Sequence, residues 1–392
     1  MPAPLTDTQE QHDLRAAVAA LAARYGRDYF QRKARAGEPV RELWSEAAKA
    51  GYLGVNLPAE YGGGGAGITE LALVLEELGA AGCPLLMLIV SPAICGTVIA
   101  RFGTEAQKQR WLPALADGTA VMAFGITEPD AGSNSHRIST TARRDGTDWL
   151  LTGRKVFVSG IDQADAVLFV ARTETVDPEG GRTGRLRPAL FVVPRDTPGF
   201  EYRPIPMELT APEKQFQVFL DEARLPADAL VGDQDSGLLP LFAGLNPERI
   251  MTAAFTLGIA RHALATAVSY ARTRTVWDRP IGAHQGIAHP LAQCAIEVEL
   301  ARLMTRKAAQ LYDAGHDRAA GEAANMAKYA AGEASCRAVD QAVQTLGGNG
   351  LTQEYGLAAL ITATRVGRVA PVSREMILNY VAQHTLGLPR SY

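Results

Sequence analysis

Four cysteines stand in this 392-residue chain, at 83, 95, 294 and 336, and no two share a C-x-x-C spacing. Neither a disulfide framework nor a zinc site is expected, and a reducing cytoplasm suits such a sequence. The seven histidines show no H-E-x-x-H or similar ligand pattern, so no metal site is expected from them. Dense basic runs are missing as well. The net charge is -3 and Arg143-Arg144 is an isolated pair, which leaves no electrostatic footprint for nucleic acid. Long apolar runs are scarce. The strongest, "PLLMLIVSPAICGTVIA" (84–100), is broken by Pro92 and Gly96 and reads as a buried core helix, not a membrane span. The first residues carry early acids and no basic segment before an apolar core, so no secretory signal is expected.

What is present falls into three stretches with different periods. Residues 1–120 read as helices: Leu14, Val18 and Leu21, then Leu71, Val74, Leu75 and Leu78, recur at helical spacing, and Thr104 is placed to cap another helix. Residues 121–232 change to short runs rich in Val, Thr, Phe and Leu, such as "AVLFVAR" and "PALFVVP", separated by Gly, Asp and Pro. That grammar predicts a small antiparallel β-barrel or sandwich, with 174–187 as an extended loop. From 233 to 392 the helical period returns, with long helices near 247–275, 285–314, 318–346 and 373–386, and a C-terminal helical bundle is expected. The fold class is therefore α+β, in the order α, β, α.

One motif is set aside. "GGGGAG" (62–67) satisfies G-x-G-x-x-G, but it follows "NLPAEY" instead of a buried strand and no βαβ series surrounds it. A glycine turn between helices is the better reading.

Four other motifs occur in order: "AFGITEPDAGSN" (123–134), "LTGRKVFVSG" (151–160), "SYARTRTVWDRPIGAHQGI" (269–287) and "DQAVQTLGGNG" (340–350). Together with "LPAEYGG" (57–63) and "ARLPADALVG" (223–232), they closely resemble the acyl-CoA dehydrogenase family over essentially the whole chain. The resemblance implies FAD between the middle domain and the C-terminal helices, with an acyl-CoA thioester against the flavin. It implies that Phe124, Ile126, Thr127, Gly132 and Ser133 contact FAD, with Phe157 and Ser159 beside the ring. Arg274 is implied to meet the pyrophosphate of a neighbouring subunit's FAD. Trp277 (where the family often has Phe followed by Gly), Gln285, Gln344, Gly347 and Gly348 are implied at that shared site, and Ser373 at the cofactor site. The chemistry is sensible, since an arginine fork suits a diphosphate and glycines let backbone approach a large ligand. Implied partners are the acyl-CoA substrate and an electron-transferring flavoprotein, in a homodimer or homotetramer.

The chain departs from the family in three places. Trp277-Asp278 replaces Phe-Gly, Thr362-Ala363 stands where an Arg-Asp pair is usual, and Pro371 occupies the position of the catalytic Glu of many members. A branch of the family that includes isovaleryl-CoA and long-chain enzymes carries its base on the first long C-terminal helix, reading "L-x-x-E-R". This chain has "LNPERI" there, which makes Glu248 the candidate base and Arg249 its neighbour at the CoA site; Glu375 is the rival. Local grammar offers a plainer account of Glu248, as a first-turn acid after an Asn246 cap and Pro247. The leading reading is α,β-dehydrogenation of a branched or bulky acyl-CoA. A flavin oxidase or monooxygenase on the same fold, and a non-catalytic acyl-CoA-binding relative, are the alternatives.

Overall fold

The computed structural model describes residues 6–176, 182–233 and 239–390. Six helices come first: α1 (Gln9–Ala23), α2 (Gly26–Ala36), α3 (Arg41–Lys49), α4 (Ile68–Ala80), α5 (Thr97–Phe102) and α6 (Glu105–Ala116). A π-type helical segment, Ile89–Gly96, runs directly into α5 with Pro92 inside it. The wider i→i+5 spacing accommodates the missing proline N–H. The expected buried helix at 84–100 is thus present in irregular form. Gly62–Gly67 form a turn leading into α4, as read from the sequence.

Eight strands follow: β1 (Met122–Gly125), β2 (Thr141–Asp145), β3 (Asp148–Ser159), β4 (Ala166–Val176), β5 (Arg182–Pro194), β6 (Phe200–Ile205), β7 (Gln215–Leu225) and β8 (Leu230–Val231). They form one sheet in the order β6-β7-β3-β2-β4-β5-β8, with β1 also paired to β4. The expected small antiparallel barrel or sandwich is met only in part: a middle sheet domain forms, but among the described residues the sheet does not close. β6 and β8 remain separate edges among the described residues, and β1 and β2 both run parallel to β4. Short β1 and β2 share β4 as a partner, so the ladder does not close on itself. The expected loop at 174–187 is also largely strand: β4 extends to Val176, which pairs with Arg182, while 177–181 lie outside the described residues. Alternation in β3 and β7 turns Trp149, Leu151, Phe216, Val218 and Leu220 into the sheet's core.

The last part holds α7 (Leu239–Thr273), a hairpin of β9 (Thr275–Val276) and β10 (Arg279–Pro280), then α8 (Gln285–Asp313), α9 (Asp317–Leu346), α10 (Ala358–Val369) and α11 (Arg374–Tyr380). α7 starts eight residues before the expected boundary at 247. Asn246 is not its cap, and Pro247 lies inside it. Burial of Leu241, Ala243 and Gly244 favours helix through this stretch. Pro247 has no N–H for the Ala243 carbonyl four residues back, and the Tyr312 hydroxyl of α8 donates to that carbonyl instead (3.1 Å). α7 has the length and apolarity to cross a bilayer, but 67% of that stretch is buried inside the protein, as in a core helix.

Charge and close packing join the first helices to the last. Asp313, at the end of α8, accepts from the Ile68 and Thr69 amides that open α4 (2.8 and 2.9 Å). Arg15 pairs with Asp7, Glu76 and Glu77, and Arg261 of α7 pairs with the same two glutamates. α4 and α7 cross at Gly79 and Gly258, where a Cβ on Gly258 would stand 2.6 Å from the Glu76 carbonyl. Only a glycine permits that approach.

Candidate active site

β1 delivers the chain into Ile126–Asn134, the loop implied to meet FAD, and a buried ion pair secures this loop. Glu128 accepts from the amide and hydroxyl of Ser139 (2.6 and 2.7 Å) and of Thr140 (2.9 and 2.5 Å). It also accepts from Lys155 Nζ (2.9 Å), which donates in turn to the Ile126 carbonyl (3.1 Å). Burial pushes the Glu128 carboxyl up, but hydrogen bonds from Thr140 and Ser139 and the Lys155 charge bring it down to about 2. Burial lowers Lys155 to about 8 against the pull of Glu128. Both groups are therefore charged at neutral pH, and the loop is pinned to β3. Phe124, Ile126 and Thr127 lie half-buried along it, while Gly132 and Ser133 are exposed at its far end.

β3 carries the next pair. Its register against β7 slips between Lys155 and Val158, one extra residue on β3, and Phe157 takes φ 56° within that bulge. The result is an aromatic ring 57% exposed, beside a half-buried Ser159 whose hydroxyl pairs with the Gln215 amide (3.0 Å). Holding a bulky residue at positive φ costs about 1–3 kcal/mol, a cost that clusters at functional sites.

The turn after α7 gathers the motifs implied to face a neighbouring subunit. Arg274 is exposed just beyond the helix, and its carbonyl accepts from the Ile281 amide (2.8 Å). Trp277 and Asp278 form the two-residue tip of the hairpin, both at positive φ (50° and 66°). This geometry favours glycine, and Asp278 adopts it without being one. Trp277 is 83% exposed, with its ring edge against His284 (6.1 Å). Gln285 opens α8. Asn349, beside the glycine turn, donates to the Tyr270 hydroxyl (3.0 Å) and so ties that turn to this end of α7. Gln344 is exposed, and Gly347 closes α9 at φ 59°, ψ -133°, a conformation reserved for glycine. A Cβ on Gly132, Gly347 or Gly348 would meet nothing within 4 Å, so backbone is open to a ligand at all three.

The candidate base lies deeper. Glu248 is the tenth residue of α7, not a first-turn acid, so the helix dipole no longer accounts for it. Its side chain is half-buried, and among the described residues no salt bridge reaches it. Burial raises its pKa to about 7, against the lowering charges of Arg249 and Lys328. Arg249 donates to Asn246 Oδ1 (2.9 Å), but its buried Nε has no partner. Cys95 of the π-type segment is close enough to Glu248 for the two to interact, and burial drives its thiol pKa up. Its Sγ bonds the Ala123 carbonyl of β1 (3.4 Å), and Ser91 accepts from the Met122 amide (3.0 Å). The irregular segment therefore sits between α7 and the strand that feeds the Ile126–Asn134 loop. The rival Glu375 is exposed, next to Arg374 (3.6 Å) in the first turn of α11. Ser373 caps that helix by accepting from the Met376 amide (3.3 Å).

Three family models match the chain in succession: the acyl-CoA dehydrogenase N-terminal domain over residues 8–119, the middle domain over 123–219 and the C-terminal domain over 235–386. The chain belongs to the acyl-CoA dehydrogenase family. Acyl-CoA dehydrogenase FadE12 of Mycobacterium tuberculosis is 66% identical over 386 residues, covering 98% of each protein. The structure of a glutaryl-coenzyme A dehydrogenase with glutaryl-CoA superposes with a TM-score of 0.91 at 29% identity, covering 98% of this chain and 97% of that one. A chain from the structural work on the electron transferring flavoprotein of Acidaminococcus fermentans gives 0.89 at 28% identity, covering 98% and 100%.

As a member of that family the protein is an FAD-dependent acyl-CoA dehydrogenase. The residues present fit the cofactor: open glycines, outward aromatics at 157 and 277, and a free arginine at 274 are what a large, aromatic, anionic group requires. Among the described residues no cluster of His, Cys, Asp or Glu could hold a metal. Sequence reasoning passed over Glu128, Lys155 and Lys328. Lys328 stands between Ala324 and Ala331 at a position that helical periodicity assigns to the interior, and that mismatch is the signal that could have found it.

Proposed function

We propose that Glu248 is the base that removes the α proton of an acyl-CoA thioester. The observation that supports this is a half-buried carboxylate of near-neutral proton affinity, beside an arginine whose Nε donor is unspent. A base working near neutral pH needs such an affinity. Arg249 is the natural contact for the substrate's acyl-CoA portion. Glu375 lies in water and is a helix-surface acid. Pro371 has no N–H with which to polarise a thioester carbonyl, and the Val372 amide is the next donor along the chain.

FAD, when bound, supplies the acceptor for the β hydride. Phe124, Ile126, Thr127, Gly132, Ser133, Phe157, Ser159 and Ser373 would hold it from one subunit. Arg274, Trp277, Gln285, Gln344, Gly347 and Gly348 would reach it from a neighbour, so that a homodimer or homotetramer is the working form. The branch that carries its base on α7 points to a branched or bulky acyl group. Electrons pass to an electron-transferring flavoprotein, and the setting is cytoplasmic fatty-acid metabolism. The chain divides at about 120 and 232 into two helical domains flanking a β domain.

The test is anaerobic titration of the yellow protein with a panel of acyl-CoAs. Glu248→Gln should keep bound FAD and lose substrate bleaching, while Glu375→Gln bleaches normally. Bleaching by Glu248→Gln at the wild-type rate would remove the assignment. Rapid oxygen consumption with peroxide release by the wild type would replace the dehydrogenase reading with an oxidase.

A further inference from the structure

The inner face of α9 is lined with alanine, at 320, 323, 324, 327, 331 and 334, and interrupted by one cation. Lys328 is 1% exposed. Its ammonium donates to the backbone carbonyl of Val372, in the connection between α10 and α11. That connection includes Pro371 and ends at the Ser373 cap. Lys328 interacts with Arg249 and Glu248 on α7, with Glu375 on α11 and with Glu333 on its own helix. The nitrogen therefore ties α9 to the strip of chain that carries Pro371, within electrostatic reach of the candidate base on α7.

Such an arrangement is expensive for packing alone. Enclosing an ammonium costs several kcal/mol, and among the described residues no salt bridge within 4 Å compensates this one. One carbonyl repays part of the cost. Alanine or methionine at 328 would suit the surrounding alanine face better. What the cation adds is a fixed positive charge beside a carboxylate that must carry negative charge to act.

We propose that Lys328 is a positioning residue for the reaction, fastening the Pro371–Val372 segment to α9 and holding its charge toward Glu248. This rests on the reading of Glu248 as the base. The charged and titratable groups around the two are Arg249 on α7, Glu333 on α9, Glu375 on α11 and Cys95 on the π-type segment; Tyr380 of α11 faces Arg249. Burial lowers the lysine to about 8, followed by the effect of Arg249, so it remains charged at neutral pH. Its charge lowers the proton affinity of Glu248.

Two substitutions separate the roles. Lys328→Gln retains a donor for the Val372 carbonyl and loses the charge, whereas Lys328→Met loses both. Turnover of the holoenzyme of each variant with an artificial electron acceptor is followed over a range of acyl-CoA concentrations from pH 5.5 to 9, with FAD content read from its absorbance. Both variants should move the acid limb of the rate profile upward by about one pH unit, about a tenfold loss well below the limb that recovers at high pH. Lys328→Met should in addition raise KM, because the Val372 strip is released. Lys328→Arg should restore the wild-type limb. A Lys328→Gln enzyme with full FAD and an unmoved acid limb would overturn the proposal, and so would equal KM values for all three variants. Glu248→Gln runs alongside: if it still bleaches, the base reading fails by itself; if it does not bleach while Lys328→Gln matches wild type, only the role of Lys328 falls.

Discussion

Replacing Glu248 with glutamine should make stability less sensitive to alkali, the reverse of what removing a paired carboxylate does. In the folded chain Glu248 keeps its proton up to about pH 7, whereas an unfolded chain releases it near the ordinary 4.5. Between those values the unfolded state binds fewer protons. The contribution to stability is therefore complete below pH 4.5 and is lost as pH rises to 7. A one-unit difference in pKa corresponds to about 1.4 kcal/mol, which sets an upper bound of roughly 3.5 kcal/mol on the loss. The side chain is half-buried, so water screens part of this, and about 1–3 kcal/mol is the expected range. Glutamine cannot ionise and does not incur that loss. The assay is the thermal midpoint of wild-type and Glu248→Gln holoenzyme at pH 5 and pH 7.5, at equal protein and FAD concentration. Any fixed gain or loss from the amide appears at both values; the growth of the difference in the variant's favour is the quantity of interest. Glu213, also buried and raised to about 7, titrates in both proteins and cancels. A difference between the two proteins that is the same at both pH values would refute the reasoning.

Two further predictions concern the framework. Lys155→Met should destabilise the protein by about 3–5 kcal/mol, since Glu128 would be left as a buried unpaired charge. The variant should also purify with less FAD, because the Ile126–Asn134 loop loses its tether; full FAD content in a stably folded Lys155→Met protein would contradict the loop's role. Tyr312→Phe should cost about 1–3 kcal/mol in thermal or denaturant unfolding by leaving the Ala243 carbonyl without its donor. It should leave the acyl-CoA titration unchanged, and a neutral effect on stability would mean that the Ala243 carbonyl is satisfied in another way.

How much of this was legible in the sequence depends on how local each feature is. The order of helical, strand and helical stretches follows from side-chain period, which any short window reveals, as with Val18 and Leu21 or the alternation through Trp149 and Leu151. The ordered motifs carried the family resemblance because their glycines and turn residues answer local backbone needs: Gly347 closes a helix and Ser373 opens one. Closure of the sheet was not legible, because it depends on whether β6 and β8 meet, and no local pattern encodes distant edges.

The opening of α7 shows the same division. By itself "GLNPERIMTAAF" reads as a helix start, and Asn246 and Pro247 are residues that begin helices. Only tertiary structure could carry the helix through the proline, because the donor replacing the missing N–H is a tyrosine of α8, sixty-nine residues beyond the carbonyl it serves. The proton affinity of Glu248 was decided there as well. It is set by burial and by Arg249, adjacent in sequence, but also by Lys328, eighty residues on. Sequence alone determined the order of helical and strand stretches, the family resemblance, and that Glu248 was the acid to consider. Packing between distant helices decided what surrounds that acid, since desolvation and Coulomb interactions depend on distance in space and not on separation along the chain.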